Sequence, residues 1–94
     1  MHRFLTRYDV ILCPVTAYAS MPVEYPLGEM FAGFTYTYAY NLTGWPGAVV
    51  RAGTNSDGIP IGIQIVARPW REDVSLAVAA HLQRELGGWK MPDL

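Results

Sequence analysis

The sequence predicts an α/β fold in which a small mixed sheet packs against helices. Three patterns support this: a continuous apolar run near the start, an alternating run after a turn-rich segment, and apolar residues at steps of four near the end. The first two patterns are typical of strands and the third is typical of an amphipathic helix. The 94 residues contain no internal repeat and no linker, so we expect one structural unit.

The first predicted strand extends from Tyr8 to Thr16, where β-branched and apolar residues follow one another without interruption up to a proline. Such a run is expected of a strand that is buried on both faces. We therefore predict that it occupies the centre of the sheet. The following stretch, from Ala17 to Gly28, contains prolines and lacks an apolar period, which predicts a loop over the surface.

Two further strands are predicted to form an antiparallel hairpin. A β-branched run from Ala48 to Ala52 precedes turn residues from Thr54 to Gly58, and an alternating run from Ile59 to Val66 follows. The turn residues can bond their own backbone or adopt positive φ, as a tight hairpin connection requires. Within the second strand, Gly62 indicates a close backbone approach, and Gln64 is expected to need a buried hydrogen-bond partner.

The last predicted element is an amphipathic helix that packs on the sheet. Glu72 and Asp73 suit the positive end of a helix, and Gly87-Gly88 suits its C-terminal cap. Between them, apolar residues recur every four positions, at Val74, Val78, Leu82 and Leu86.

The segment from Phe34 to Tyr40 is ambiguous. Its aromatic and small residues alternate with a period of two, and the pattern alone favours a strand.

The composition restricts the possible partners. Apolar residues make up 51% of the chain and charged residues 16%, which indicates more apolar surface than one small core can hide. We therefore expect a covered piece of something larger, or an oligomer. The net charge of −1 comes from scattered residues, which argues against nucleic acid and membrane surfaces as partners. Because no signal peptide or bilayer-spanning run is present, a cytoplasmic location is the default expectation.

Residues that could carry chemistry are few. Cys13 is the single cysteine, and we expect it to pack as a small apolar residue. No histidine or cysteine spacing resembles a zinc site, so neither a metal nor a cofactor is predicted. The serines are Ser20, Ser56 and Ser75, and none lies in a glycine-rich nucleophile loop. Lys90, the single lysine, lies in a polar tail and is expected to be solvated.

Four motifs together resemble the end of the amidase-signature family. They are Tyr8-Asp-Val-Ile-Leu-Cys-Pro14, Asn41-Leu-Thr-Gly-Trp-Pro-Gly47, Ile59-Pro-Ile-Gly-Ile-Gln64 and Pro69-Trp-Arg-Glu-Asp-Val-Ser-Leu76. Their order and spacing agree with the family over nearly the whole chain. The resemblance implies a fragment of the amidase-signature fold, with residues 1–94 as the C-terminal part of the domain.

The resemblance also implies an activity, the hydrolysis of carboxamides by a Ser, cis-Ser, Lys triad. In the family, the triad and its Gly-Gly-Ser-Ser-type loop belong to a part of the chain that precedes everything seen here. No catalytic residue can therefore be carried over to this sequence. The chain by itself is not expected to hydrolyse amides by that mechanism.

What can be carried over is part of a pocket wall. In proteins of this family the segment ahead of the Asn-x-Thr-Gly motif is similar to a helix whose inner side faces the acyl part of the substrate. Phe34, Tyr38 and Asn41 would then share one helix face as substrate-binding residues. Relatives that act on glutamine can place an aspartate at the position of Phe34, so an aromatic or apolar carboxamide is the better expectation here.

Two functions therefore stand as hypotheses. The first is the C-terminal part of an amidase, whether a truncated gene product, a fragment or one half of a split enzyme. Its partners would be a small carboxamide and the missing N-terminal part. The second is a non-catalytic domain that kept this fold and acts by binding or by forming a homo-oligomer.

Overall fold

The chain forms one three-stranded sheet with helices on it. The computed structural model describes residues 2–18, 24 and 33–91. In chain order its elements are α1 (His2–Arg7), β1 (Val10–Pro14), α2 (Thr35–Thr43), β2 (Gly47–Thr54), β3 (Pro60–Ala67) and α3 (Glu72–Glu85). The strand order is β1-β3-β2. The predicted α/β fold is confirmed, although both strand pairs are antiparallel and the described sheet is not mixed.

The central strand of this sheet is β3, and the prediction that Tyr8 to Thr16 holds the centre is wrong. β1 lies at an edge of the described sheet, and its Leu12 is 50% exposed. By contrast, Ile65, Val66 and Ala67 of β3 are fully buried. A run of apolar residues indicates that a strand tends to be buried, but it carries no information on how many strands pair with it.

The predicted hairpin is confirmed, including the chemistry of its turn. The side-chain Oδ1 of Asn55 accepts hydrogen bonds from the backbone N–H groups of Asp57 and Ile59, each at 2.9 Å. Gly58 has a φ of 80°, a value that side chains rarely tolerate. These local bonds fix the connection between β2 and β3 and thereby the register of the two strands.

Helices cover both faces of the sheet. Leu5 of α1 and Trp45 pack with Val66 in a buried cluster on one face. Neighbouring residues of a strand point to opposite faces, so Ile65 lies on the other face. There α3 packs against β2 and β3 and buries Ala79. The sheet therefore forms the middle of three layers, with α1 and Trp45 on one face of β3 and α3 on the other.

Residues 35–43 form a helix, as the family resemblance implies and as the period-two pattern does not. The hydroxyls of Thr37 and Thr43 donate to backbone carbonyls three and four residues earlier, which is how threonine is accommodated in a helix. The helix ends at Gly44, whose φ is 72° and whose N–H donates to the carbonyl of Tyr40 at 2.8 Å. The local glycine cap thus determines where α2 stops.

The predicted C-terminal helix is confirmed as α3. Gly87 and Gly88 follow it with φ values of 89° and 71°, as the predicted cap requires. The guanidinium of Arg51 on β2 donates to the carbonyls of Leu86 and Gly88 at 3.3 and 3.4 Å. One cation therefore satisfies two carbonyl oxygens at the end of the helix and ties that end to the sheet.

Candidate functional site

The three predicted substrate-binding residues lie on or directly before α2. Phe34 immediately precedes the helix and is half-buried, whereas Tyr38 and Asn41 are exposed on it. Their spacing of four and three residues places them on one side of the helix. Contact of these three residues with a substrate stays a prediction.

A buried glutamine holds the sheet-facing side of α2. Gln64 on β3 is 7% exposed, and its Nε2 donates to the carbonyl oxygen of Tyr36 at 3.2 Å and to Sγ of Cys13 at 3.3 Å. The expectation that Gln64 needs a buried partner is confirmed. The side chain joins β1, β3 and α2 through one amide group, and it sets the position of α2 on the sheet.

Tyr40 lies between this amide and the buried cluster. Its ring stacks with Trp45 at a centroid separation of 6.3 Å, and Sγ of Cys13 donates to its hydroxyl at 4.0 Å. Burial, together with the neighbouring sulfur of Cys13, raises the pKa of Tyr40. Cys13 itself packs against the buried cluster as a small apolar residue, as expected.

The raised pKa of Tyr40 predicts a loss of stability in base. The unfolded chain ionises this phenol near its ordinary value of about 10, while the folded chain keeps it neutral. The contribution of Tyr40 to the free energy of unfolding is therefore fully present below about pH 10, and it is lost as the pH rises above that value. Tyr40→Phe should flatten this pH dependence in urea unfolding. An unchanged pH dependence in Tyr40→Phe would contradict the assignment.

A cavity of about 420 Å³ opens at the end of the sheet where β1 finishes and β3 begins. Its walls are mostly apolar: Pro14, Val15, Thr16, Ala17, Tyr18, Val49, Pro60, Ile61 and Gly62. The N–H of Ala17 donates to the carbonyl of Gly33 at 3.0 Å, which connects this wall to the start of α2. The predicted pocket residues do not line the cavity, although Phe34 directly follows Gly33 in the chain.

Sequence reasoning missed this cavity, and the only signal for it was Gly62. A Cβ atom at this position would lie 3.0 Å from Cγ1 of Val49 and 3.5 Å from Cγ2 of Val15. The close neighbours at Gly62 are thus the side chains of two valines, whereas the sequence analysis expected a close approach of the backbone. Most of the cavity wall is apolar, which suits an apolar group of a ligand.

The serines within the described residues are not arranged as nucleophiles. Ser75 is 2% exposed, and its hydroxyl donates to the carbonyl of Glu72 at 3.0 Å within α3. Ser56 is exposed in the hairpin turn, and Lys90 is exposed after α3. Ser20 lies outside the described residues, as does most of the predicted loop from Ala17 to Gly28.

The described residues hold neither a metal-binding cluster nor a membrane-spanning helix. In this part of the chain, no three His, Cys, Asp or Glu side chains come together in a way that could hold a metal ion. The helices among the same residues are too short or too polar to cross a membrane.

Comparisons with known proteins agree with the four motifs. Residues 1–76 match the Amidase family. The chain is 40% identical to human fatty-acid amide hydrolase 2 over 67 residues, and this alignment covers 71% of this chain and 12% of that protein. It is 34% identical to an acylamidase of Rhodococcus erythropolis over 89 residues, and this alignment covers 85% of this chain and 19% of that protein. A third relative is a glutamyl-tRNA(Gln) amidotransferase subunit from Dinoroseobacter shibae, with 35% identity over 88 residues, which covers 89% of this chain and 18% of that protein.

The chain thus spans less than a fifth of the length of these curated relatives. Within that span, the four motifs fall at β1, at the junction of α2 and β2, on β3, and at the start of α3. The family match covers all of these elements except the later part of α3. This chain belongs to the amidase family.

Proposed function

We propose that this chain is the C-terminal part of an amidase, a hydrolase of carboxamides, and that it supplies scaffold and one wall of the substrate pocket. The observation that carries the proposal is the family match over residues 1–76. The three relatives are amide hydrolases or part of an amidotransferase by their names, and each is several times longer than this chain. Catalysis would belong to the part of the domain that these 94 residues do not include.

The pocket wall would be the side of α2 that carries Tyr38 and Asn41, with Phe34 at its start. Two features support a fixed wall: the bond from Gln64 to the carbonyl of Tyr36, and the glycine cap at Gly44. A pre-positioned aromatic surface binds a substrate without the entropic cost of ordering it first. The neighbouring aliphatic cavity would extend this wall for the apolar part of a substrate.

The substrate class we propose is a carboxamide with an apolar or aromatic acyl group. Phe34 offers a half-buried ring and no charge, so nothing at this position would hold a substrate ammonium group. The names fatty-acid amide hydrolase 2 and acylamidase agree with such substrates. We also propose that the protein is cytoplasmic and that the isolated chain self-associates.

A chimera tests the proposed function directly. In the Rhodococcus acylamidase, the segment that matches this chain would be replaced by residues 1–94. The chimera should release ammonia from an aromatic carboxamide. An inactive but folded chimera would count against the proposal and favour a non-catalytic binding or oligomerising domain.

The pocket assignment predicts a change in selectivity of the same chimera. Phe34→Ala should lower kcat/KM for an aromatic carboxamide about tenfold relative to that for a small aliphatic one, because one aromatic contact of about 1.4 kcal/mol is lost. The ratio compares two substrates on one enzyme, so a loss of folded protein cancels. Thr35→Ala is the matched control and should leave the ratio unchanged. An unchanged ratio in Phe34→Ala would contradict the assignment.

A further inference from the structure

None of the nine residues of α2 is buried, so the helix has little side-chain packing to hold it on the sheet. Its second half is attached through Tyr40, whose side chain packs against the buried cluster. Near its start, the helix is attached through the hydrogen bond from Nε2 of Gln64 to the carbonyl oxygen of Tyr36. Along the chain this bond lies between Phe34 and Tyr38, the two aromatic residues that we propose for the pocket wall.

The amide of Gln64 is enclosed by three elements of the fold. On β1, Cys13 lies directly opposite Gln64, and its Sγ accepts the second hydrogen bond from Nε2 at 3.3 Å. On β2, Gly47 leaves room for the amide, because a Cβ atom there would already lie 3.4 Å from Oε1 of Gln64. α2 covers the third side through the carbonyl of Tyr36. A side chain enclosed in this way has few alternative rotamers, so it can fix the position of the group that it binds.

Gln64 itself is not placed to bind a substrate. The residue is 7% exposed, and both hydrogen atoms of its Nε2 already have acceptors within the fold. Any effect of Gln64 on a substrate must therefore pass through the backbone of α2. Because the amide binds a backbone carbonyl, a shift of this bond would move the rings of Phe34 and Tyr38 together.

We propose that Gln64 is a positioning residue for the substrate, which sets the place of Phe34 and Tyr38 in the pocket wall and so the selectivity of the assembled enzyme. The inference rests on the proposed function, because it needs the side chains of α2 to meet the substrate. A displacement of about 1 Å in an element far from the reacting atoms can lower the rate of an enzyme about a hundredfold. Replacing a glutamine with only a structural role would lower the stability of the fold and leave selectivity unchanged.

The acylamidase chimera that carries residues 1–94 tests this inference with two substrates. Gln64→Met should lower kcat/KM for an aromatic carboxamide about fivefold relative to that for a small aliphatic one, because the wall moves and the catalytic residues do not. The ratio compares two substrates on one enzyme, so a loss of folded protein cancels. Ile65→Val is the matched control. Ile65 is fully buried on the other face of β3, so this change weakens the fold without touching α2 and should leave the ratio unchanged.

Gln64→Glu in the same chimera adds a rescue by pH. At about pH 5 the buried carboxyl group is protonated and its O–H can donate to the carbonyl of Tyr36, whereas at about pH 8 the carboxylate has no proton to donate. The selectivity ratio should therefore equal that of the unaltered chimera at the lower pH and fall about fivefold at the higher pH. The unaltered chimera, measured at both pH values, corrects for the effect of pH on catalysis itself.

The possible results separate this inference from the proposed function. An unaltered chimera that releases no ammonia would count against the proposed function, and the inference would fall with it. An active chimera whose selectivity is unchanged by Gln64→Met, or is changed equally by Ile65→Val, would overturn the inference alone. A Gln64→Glu ratio that follows the unaltered chimera at both pH values would also overturn it, since the bond to Tyr36 would then not set the wall.

Discussion

Replacing Trp45 with alanine is expected to lower the free energy of unfolding by about 3–5 kcal/mol. Trp45 is 4% exposed and packs with Leu5 and Val66, and its ring also stacks with Tyr40. Removal of the indole leaves a cavity between α1, α2 and the sheet that small shifts cannot fill. Because a small domain is stable by only about 5–10 kcal/mol, much of the variant should be unfolded at moderate urea concentrations.

The matched control is the same substitution at an exposed tryptophan. Trp70 is 88% exposed, so Trp70→Ala removes little packing and should change the free energy of unfolding by less than about 1 kcal/mol. Urea unfolding followed by far-UV circular dichroism measures both variants without relying on tryptophan fluorescence. Similar losses in the two variants would show that the cluster around Trp45 is not the core of this chain.

Gln64→Glu is expected to destabilise the fold by several kcal/mol at neutral pH. In this variant a carboxylate would occupy a site that is 7% exposed, and it would face the carbonyl oxygen of Tyr36, which accepts hydrogen bonds and cannot donate one. Burial and this unfavourable neighbour would raise the pKa of the new carboxyl group above its unfolded value of about 4.3. The folded state would then bind a proton that the unfolded state has released.

The sign of the pH dependence follows from this difference in proton binding. The stability of Gln64→Glu should be highest near pH 4 and should fall by about 3 kcal/mol between pH 4 and pH 7. Two controls separate charge from the loss of the amide. Gln83→Glu places the same carboxyl group at an exposed position of α3, and Gln64→Met removes the amide without adding a charge. Neither control variant should show the additional loss of stability between pH 4 and pH 7. If the stability of Gln64→Glu did not change with pH, the side chain at position 64 would be in contact with solvent.

The hairpin and α3 could be predicted from sequence because their signals are local. Asn55 and Gly58 specify the turn through their own side-chain and backbone chemistry, and a four-residue apolar period specifies α3. The strand order could not be predicted in this way. Pairing of β3 on both sides depends on contacts between distant segments. The central strand β3 contains Gly62 and Gln64, whereas β1 at the edge is apolar throughout.

α2 shows how tertiary context overrides a local pattern. The alternation from Phe34 to Tyr40 favours a strand, yet Gly44 caps a helix and Gln64 binds the backbone of that helix. Neither contact is visible in a period of two. α1 was not predicted at all, since six residues give too little periodicity to detect, although its Leu5 is 1% exposed in the core.

The candidate site was only partly accessible from sequence. The placement of Phe34, Tyr38 and Asn41 on one side of a helix came from the family resemblance, not from the residue pattern. The cavity is lined by residues at and after the end of β1, residues at the start of β3 and Val49 of β2, which are far apart in the chain. Its only local sign was Gly62.

If this chain supplies scaffold and a pocket wall, as we propose, the catalytic residues belong to another part of the domain. The measurement to make first is ammonia release by the purified chain from aliphatic and aromatic carboxamides. We expect no release above buffer, whereas the chimera with the acylamidase should release ammonia under the same conditions. Release by the chain alone that is abolished by an alanine at Ser20, Ser56 or Ser75 would show that these 94 residues carry a nucleophile of their own and would contradict the proposed division of roles.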